Sequence, residues 1–404
     1  MRLTYLSASA ELGGAERALL DIVTSVRQAE PAWPIQVVLP ADGPLAPRLS
    51  SLGVSLAIVP FPESVARIGE HGAAGARGGY ARLAAQVGLA AAPIAGFTRK
   101  LAQTVNAFAP DLVHSNGLKL HVLAARADLS APLVWHVHDF VGARGVTKRL
   151  LRWSRSRAAV IVANSRSVAA DVRAAIGDDV PIAAIHNAVD LARFAPVGEC
   201  ADLDTLSGLA PAPSGTVRVG LVATFARWKG HDVFLRAIAS QPAQPPLRAY
   251  IIGGALYRTD GSQYTLDELH RMAEDLGVGD RVGFAGFVDR PETVYRTLDV
   301  VVHASTVPEP FGLVIAEAMA CGRAVVASDA GGAAEIVTRG VDAMTHPPGD
   351  RDALAAAIHA LAIDAGKRQA LGRAARAAAE RAFDRPRLDR QLLAVYESAV
   401  GVGA

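Results

Sequence analysis

The chain has 404 residues and a formal net charge of +2 at neutral pH, with 51% hydrophobic and only 5% aromatic residues. That balance argues against a protein that holds nucleic acid by charge, and the length exceeds what one core usually sustains, so two domains of about 200 residues are expected. Cys200 and Cys321 are too few for a disulfide framework and match no metal-site spacing, which fits a reducing cytoplasm.

Residues 3–7 read as a first strand, too short for the apolar stretch of a signal peptide, and no run of about 18 uncharged apolar residues occurs anywhere. Neither secretion nor a spanning helix is expected, which places the chain in the cytoplasm or at the cytoplasmic face of the membrane. Gly13 and Gly14 follow in the turn before a helix that buries Leu19, Leu20, Ile22 and Val23. Further strands are expected at 35–39, 55–59, 112–115, 133–137, 160–163 and 182–185, several of them separated by helical segments. Continuous apolar strands between helices imply a parallel sheet covered on both faces. Residues 83–97, uncharged and rich in Ala, are either an interfacial helix or a core element kinked at Pro93. Between 144 and 157 stand Arg144, Lys148, Arg149, Arg152, Arg155 and Arg157, with Leu150, Leu151 and Trp153 among them and no acidic residue. This basic amphipathic pattern suits either a solvated surface or peripheral contact with anionic lipid.

The alternation breaks at 194–215, rich in Pro, Gly and small polar residues, and this is the expected linker. Strands then resume at 217–223, 248–253, 282–285, 300–304 and 324–328. The expected organisation is therefore a first domain over 1–193, a second over 216–382, and a final helical segment, 383–404, that packs back across the boundary. Two such sheets place their ligand crevices at the carboxyl ends of the strands, with a cleft between the domains as the default site.

The densest chemistry lies in the run from Pro308 to Gly322. Pro310 and Gly312 forbid a regular helix before about Phe311, and the residues after them are good helix formers, so a helix should begin near Gly312. Its first amides, at Gly312, Leu313 and Val314, form an anion site suited to a diphosphate. Glu309 lies before that start and Glu317 inside the helix, one able to face the sugar side and the other the nucleoside side of a sugar nucleotide, where carboxylates accept from paired hydroxyls. Arg227 and Lys229, just beyond the strand at 217–223, can neutralise a diphosphate, Arg bidentately and Lys as a point charge; a solvent-exposed turn accounts for the same charges. His138 ends a strand and can bond either a sugar hydroxyl or neighbouring backbone. His114, Asn116, Lys119 and Arg144 occupy the same rim as acceptor-side candidates, with Asn164 and Ser165 after a further strand. Asn187 and Asp190 read as turn formers. Gly13–Gly14, Gly253–Gly254 and Gly331–Gly332, the last followed by Glu335, each stand after a strand, where glycine lets a ligand approach the backbone.

Taken together these residues resemble the retaining glycosyltransferases of family 4. The resemblance implies a GT-B fold of two facing Rossmann-like domains. Glu309 and Glu317 stand where the family has its Glu-x7-Glu motif, which implies contact with the donor sugar and with the ribose. Gly13 and Gly14 match the glycine loop near donor phosphate and acceptor, His138 the histidine beside the transferred sugar, and Lys229–Gly230 the Lys-Gly pair on the diphosphate. One position departs from the pattern: Ala223–Thr224 stands where the family carries Gly-Arg, and Arg227 is the substitute guanidinium. The resemblance implies a metal-independent enzyme without cofactor, which moves a sugar with retention from a nucleoside-diphosphate sugar to a hydroxyl acceptor (a glycan, a lipid-linked precursor or a metabolite). A nucleotide-sugar epimerase and a non-catalytic nucleotide-sugar binder share the fold as alternatives, whereas a NAD oxidoreductase is disfavoured because neither domain has the full glycine fingerprint.

Overall fold

The computed structural model describes residues 1–62, 91–255 and 261–401. It divides into two compact units, one built from residues 1–188 and 385–404 and the other from 189–384.

The first unit is built on a seven-stranded, wholly parallel sheet of β1 (Leu3–Ser7), β2 (Ile35–Leu39), β3 (Ser55–Ile58), β4 (Leu112–Asn116), β5 (Leu133–Val137), β6 (Ala158–Ala163) and β7 (Ile182–Ala184), in the order β3-β2-β1-β4-β5-β6-β7. Strands β1, β2, β4 and β5 are buried along their whole length, as expected for a sheet covered on both faces. The helix Gly14–Ala29 directs Ala18, Leu19, Ile22, Val23 and Val26 inward, a spacing of three and four residues that makes one apolar face. The last helix, Arg385–Gly401, belongs to this unit although it follows the second in sequence, and it buries Leu388, Leu392, Tyr396 and Ala399. Helix Ala91–Phe108 contains Pro93, and residues 83–90 of the expected segment lie outside the described residues.

The second unit carries a six-stranded parallel sheet of β8 (Val217–Val222), β9 (Leu247–Ile252), β10 (Val282–Gly286), β11 (Val300–His303), β12 (Ala324–Ser328) and β13 (Met344–His346), in the order β10-β9-β8-β11-β12-β13. Both orders reverse direction beside the first strand of the unit, which is the point where open α/β sheets hold ligands. Strand β13 is not among the expected strands. Residues 194–215, expected as the linker, are folded into this unit: Phe194 and Leu203 are in its core, and Asp204 accepts from Arg248 at 2.6 Å and from the Tyr250 hydroxyl at 2.6 Å.

Candidate functional site

In the second unit the polar residues gather at the carboxyl ends of β8, β11 and β12. The helix expected near Gly312 runs from Leu313 to Ala320 with Gly312 as its N-cap at φ 97°, a left-handed conformation that glycine adopts without strain. The amides of Gly312, Leu313 and Val314 donate to no group among the described residues, which leaves three backbone donors at the helix start. Phe311 contributes backbone only, since its ring is 2% exposed and packs edge-on against Phe383.

Glu309 is buried in front of this helix. Its Oε2 accepts from Lys229 Nζ at 2.7 Å, Ser305 Oγ at 2.9 Å and His303 Nε2 at 3.0 Å. Burial alone would raise its pKa, but the Lys229 charge and the His303 hydrogen bond prevail and hold the carboxyl well below the usual carboxylate range. The Ser328 amide donates to His303 Nδ1 at 3.3 Å, so the ring proton sits on Nε2 and faces Glu309. Lys229 lies with its ammonium 3.9 Å from the centroid of the Trp228 ring. Glu317 is buried one helical turn and more beyond the cap, and the Tyr295 hydroxyl donates to its Oε2 at 2.7 Å.

Gly331 and Gly332 have a packing role. They lie against the backbone of the Glu309 loop: Gly332 N donates to Glu309 O at 2.6 Å, and a Cβ on Gly332 would sit 2.1 Å from the Pro310 oxygen. The helix they open has only four residues, Gly332–Glu335, so this turn locks Glu309 in place rather than forming a second anion site. Gly253 is likewise a packing glycine, with its Cβ position 2.0 Å from the Ala223 carbonyl oxygen.

Arg227 is not brought to Glu309. Its guanidinium bonds Glu268 at 3.0 Å and the Gly261 carbonyl at 3.1 Å, and lies 4.2 Å from the centroid of the Tyr264 ring. Thr224, at the family's arginine position, is half-buried.

The first unit assembles a separate polar group. His138 Nε2 lies 2.5 Å from Asn116 Oδ1, and Asn116 Nδ2 donates to the Ala15 carbonyl at 3.1 Å, in the first turn of the helix that Gly13 caps. Neither Gly13 nor Gly14 has a positive φ, so no left-handed turn calls for glycine there. Gly14 is instead exposed, with nothing within 4 Å of its Cβ position, so the backbone there is open to a ligand. His114 is not on the rim. It is fully buried, with the Tyr396 hydroxyl 2.8 Å from its Nδ1, and its ring lies 5.2 Å from His136, which in turn lies 4.0 Å from His138. Burial lowers the pKa of His138 to about 4, and burial together with the His138 charge lowers that of His114 to about 3. Lys119 lies over Phe61, Arg144 pairs with Asp139, and Ser165 caps a helix by accepting from Val168 N at 3.0 Å. Asp190 accepts from Ala192 N and Arg193 N as a turn former.

The basic segment forms the helix Gly145–Ser154 and the turn after it, with Arg149, Arg152, Trp153 and Arg157 exposed along one stripe and Trp153 64% exposed. Beside it, at the amino ends of β5 and β6, is a cavity of about 620 Å³ lined by Pro132, Arg152, Trp153, Arg155, Arg157 and Asp179. Among the described residues no helix is long and apolar enough to cross a membrane, and no group of three or more His, Cys, Asp or Glu side chains is placed to hold a metal ion.

His303 and Ser305 were not among the residues expected at the site. Their one sequence signal is position, since they follow Val300, Val301 and Val302 at a strand's carboxyl end.

Comparison with known proteins joins these two groups of residues to one family. Residues 12–193 match the model of "Glycosyltransferase Family 4" and residues 210–378 that of "Glycosyl transferases group 1". A D-inositol 3-phosphate glycosyltransferase of Mycobacterium ulcerans is 35% identical over 186 residues, 46% of this chain and 38% of that protein. The lipopolysaccharide core biosynthesis mannosyltransferase LpcC of Rhizobium leguminosarum bv. viciae is 34% identical over 180 residues, 45% of this chain and 49% of that one. The chain thus spans less than half the length of these curated relatives. The crystal structure of Anabaena Alr3699/HepE in complex with UDP-glucose is 28% identical with a TM-score of 0.78, over 98% of this chain and 100% of that one.

Proposed function

Because the chain belongs to glycosyltransferase family 4, we propose that it moves a glycosyl group from a nucleoside-diphosphate sugar to a hydroxyl acceptor, with retention of configuration and without a metal ion. The observation that carries this reading is the buried Lys229–Glu309 pair beside the unpartnered amides of Gly312, Leu313 and Val314. The bond from the anomeric carbon to the diphosphate breaks, and negative charge develops on the leaving group. Lys229 and the three amides would stabilise that charge, an effect of preorganised donors rather than of covalent chemistry. Glu309 would accept from the sugar hydroxyls and Glu317 from the ribose. In the first unit, His138, oriented by Asn116, would bond a hydroxyl of the transferred sugar. Retention follows if the acceptor oxygen attacks the face that the diphosphate leaves, with its proton passing to a phosphate oxygen. A uridine diphosphate sugar is the first donor to test, because the Anabaena neighbour was solved with UDP-glucose.

Thermal-shift and donor-consumption assays across UDP-, GDP- and ADP-sugars test this reading. One nucleotide should raise the melting temperature, and Lys229→Ala and Glu309→Ala should abolish consumption of its sugar without loss of fold. Near wild-type turnover by both variants would sink the assignment. Donor isomerised in the absence of any acceptor would make the protein an epimerase.

Peripheral contact with anionic lipid is the second part of the proposal, supported by the exposed stripe of Arg149, Arg152, Trp153 and Arg157. Co-sedimentation with phosphatidylglycerol vesicles should exceed that with phosphatidylcholine vesicles by more than about tenfold, and Arg149→Glu/Arg152→Glu should remove the difference. Equal sedimentation of wild type with both vesicles would refute lipid contact.

A further inference from the structure

The donors that reach the Glu309 carboxylate converge on a single oxygen. Lys229, Ser305 and His303 all bond Oε2, and no described group bonds Oε1. The three differ in freedom. His303 and Ser305 end β11 and the residues after it at 3% and 0% exposure, and each is fixed from its far side. The Ser328 amide donates to His303 Nδ1 at 3.3 Å, His346 Nε2 lies 3.2 Å from the His303 carbonyl oxygen, and Ser328 Oγ donates to the Ser305 carbonyl at 2.7 Å. Lys229 stands on a four-carbon stem from a short turn, Arg227–Lys229, with its side chain 18% exposed. It is the one member of the three that can swing toward a phosphate.

We infer that His303 and Ser305 are positioning residues for the donor-binding carboxylate: they keep Glu309 ionised, with Oε2 occupied and Oε1 presented, while Lys229 moves its charge from Glu309 to the diphosphate of the bound donor. The inference rests on the donor site proposed above. A buried carboxylate deprived of its cation would take up a proton unless hydrogen bonds favour the charged form. A protonated Glu309 would then offer a donor where sugar hydroxyls need an acceptor. The titratable groups that face Glu309 are Lys229, from the turn after β8, and His303, from β11; His346 of β13 stands behind His303 on its carbonyl. With Lys229 withdrawn, the ring N–H and the hydroxyl are the two donors that remain on Oε2.

Infrared difference spectroscopy decides this without any substrate, with Glu309→Gln variants to assign the carboxyl signal. At neutral pH, Lys229→Met alone should show no carbonyl band of a protonated buried carboxylic acid. Lys229→Met/His303→Phe/Ser305→Ala should show one, lost on Glu309→Gln; if that variant does not fold, Lys229→Met/Ser305→Ala makes the same comparison. A protonated Glu309 in Lys229→Met alone overturns the inference. With Lys229 intact, His303→Phe/Ser305→Ala should lower kcat for donor consumption by about 10–100-fold, with donor KM changed by less than about threefold. The acid limb of the kcat profile should rise by about one pH unit or more. His303→Gln, which keeps an N–H donor, should recover most of the loss. An equal loss at every pH, with no recovery by His303→Gln, overturns the inference. A wild-type protein that consumes no donor would sink the proposed function alone, because the infrared comparison still decides the state of Glu309.

Discussion

Lys229 and Arg227 stand two positions apart in one turn, yet they are committed to different partners. Arg227 is exposed and paired with Glu268, whose carboxylate also caps the helix Leu266–Asp275 by accepting from Thr265 N at 2.7 Å. Lys229 points into the protein at a carboxylate 10% exposed. An exposed ion pair contributes little to stability and lends little charge to a site elsewhere. Arg227→Ala should therefore lower kcat/KM for donor consumption by less than about tenfold, whereas Lys229→Ala should lower it by at least about 100-fold. Steady-state kinetics on both variants with one donor checks the contrast, and similar losses would restore Arg227 to the diphosphate. The sequence made both cations visible at a strand's carboxyl end, but it cannot say which of two neighbours in a turn points inward. Glu309 was legible because Pro310 and Gly312 bracket a helix start. His303 and Ser305 were not, because a polar pair that ends a Val-Val-Val run reads as the rim of a core strand until the loop carrying Glu309 is folded over it.

At the scale of elements, the carboxyl ends of β4 and β5 pack imidazoles where most sheets pack aliphatics. Asn116 pairs in register with His136, and the rings of His114, His136 and His138 adjoin one another, the first two edge-on and the last two tilted. Burial lowers the pKa of each ring, to about 3 for His114 and about 4 for His138, with His136 also well below its ordinary value. The unfolded chain then binds more protons than the folded one below about pH 6.5, so stability is full above that value and falls as the pH drops toward the folded pKa values. The expected slope is about 1.4 kcal/mol per pH unit for each ring that stays neutral. Urea unfolding at pH 5, 6 and 7 measures it, followed by tryptophan fluorescence in a Trp228→Phe background that leaves only first-unit tryptophans, among them Trp135, 5.3 Å from the His121 ring. His136→Phe should reduce the slope by one proton, since neither ring nitrogen of His136 bonds another group. A slope unchanged by that substitution would refute the account. His114 was expected on the rim because it ends a strand, and nothing local reveals that the hydroxyl of Tyr396, 282 residues later, lies 2.8 Å from its Nδ1. Strand β13 was missed for a related reason: Met344–His346 is three residues long and depends on its pairing with β12 rather than on its own pattern.

At the scale of the whole chain, the two units differ in continuity. The first is closed by a segment from the far end of the sequence: Tyr396 reaches Tyr5 and His114, and Arg385 pairs with Asp21 at 2.7 Å. Two consecutive runs of strands and helices were legible as two domains. The debt of the first unit to helix Arg385–Gly401 was legible as a final helical segment that packs back across the boundary, but not in the residues it meets there. The second unit is one unbroken stretch whose own ends meet, with Val189 N donating to Phe383 O at 2.8 Å. Every residue proposed to hold the donor diphosphate and ribose lies inside that stretch: Lys229, Gly312, Leu313, Val314 and Glu317. Residues 189–384 expressed alone should therefore fold and bind the matching nucleoside diphosphate within about tenfold of the full chain, or about 1.4 kcal/mol. Residues 1–384 should lose the cooperative unfolding of the first unit, because its core is left open along Leu388, Leu392 and Tyr396. Calorimetric titration of the isolated second unit and thermal melts of the truncated chain test the two halves of the argument separately. Loss of nucleotide binding by a folded 189–384 fragment would show that the donor site needs residues from outside this stretch.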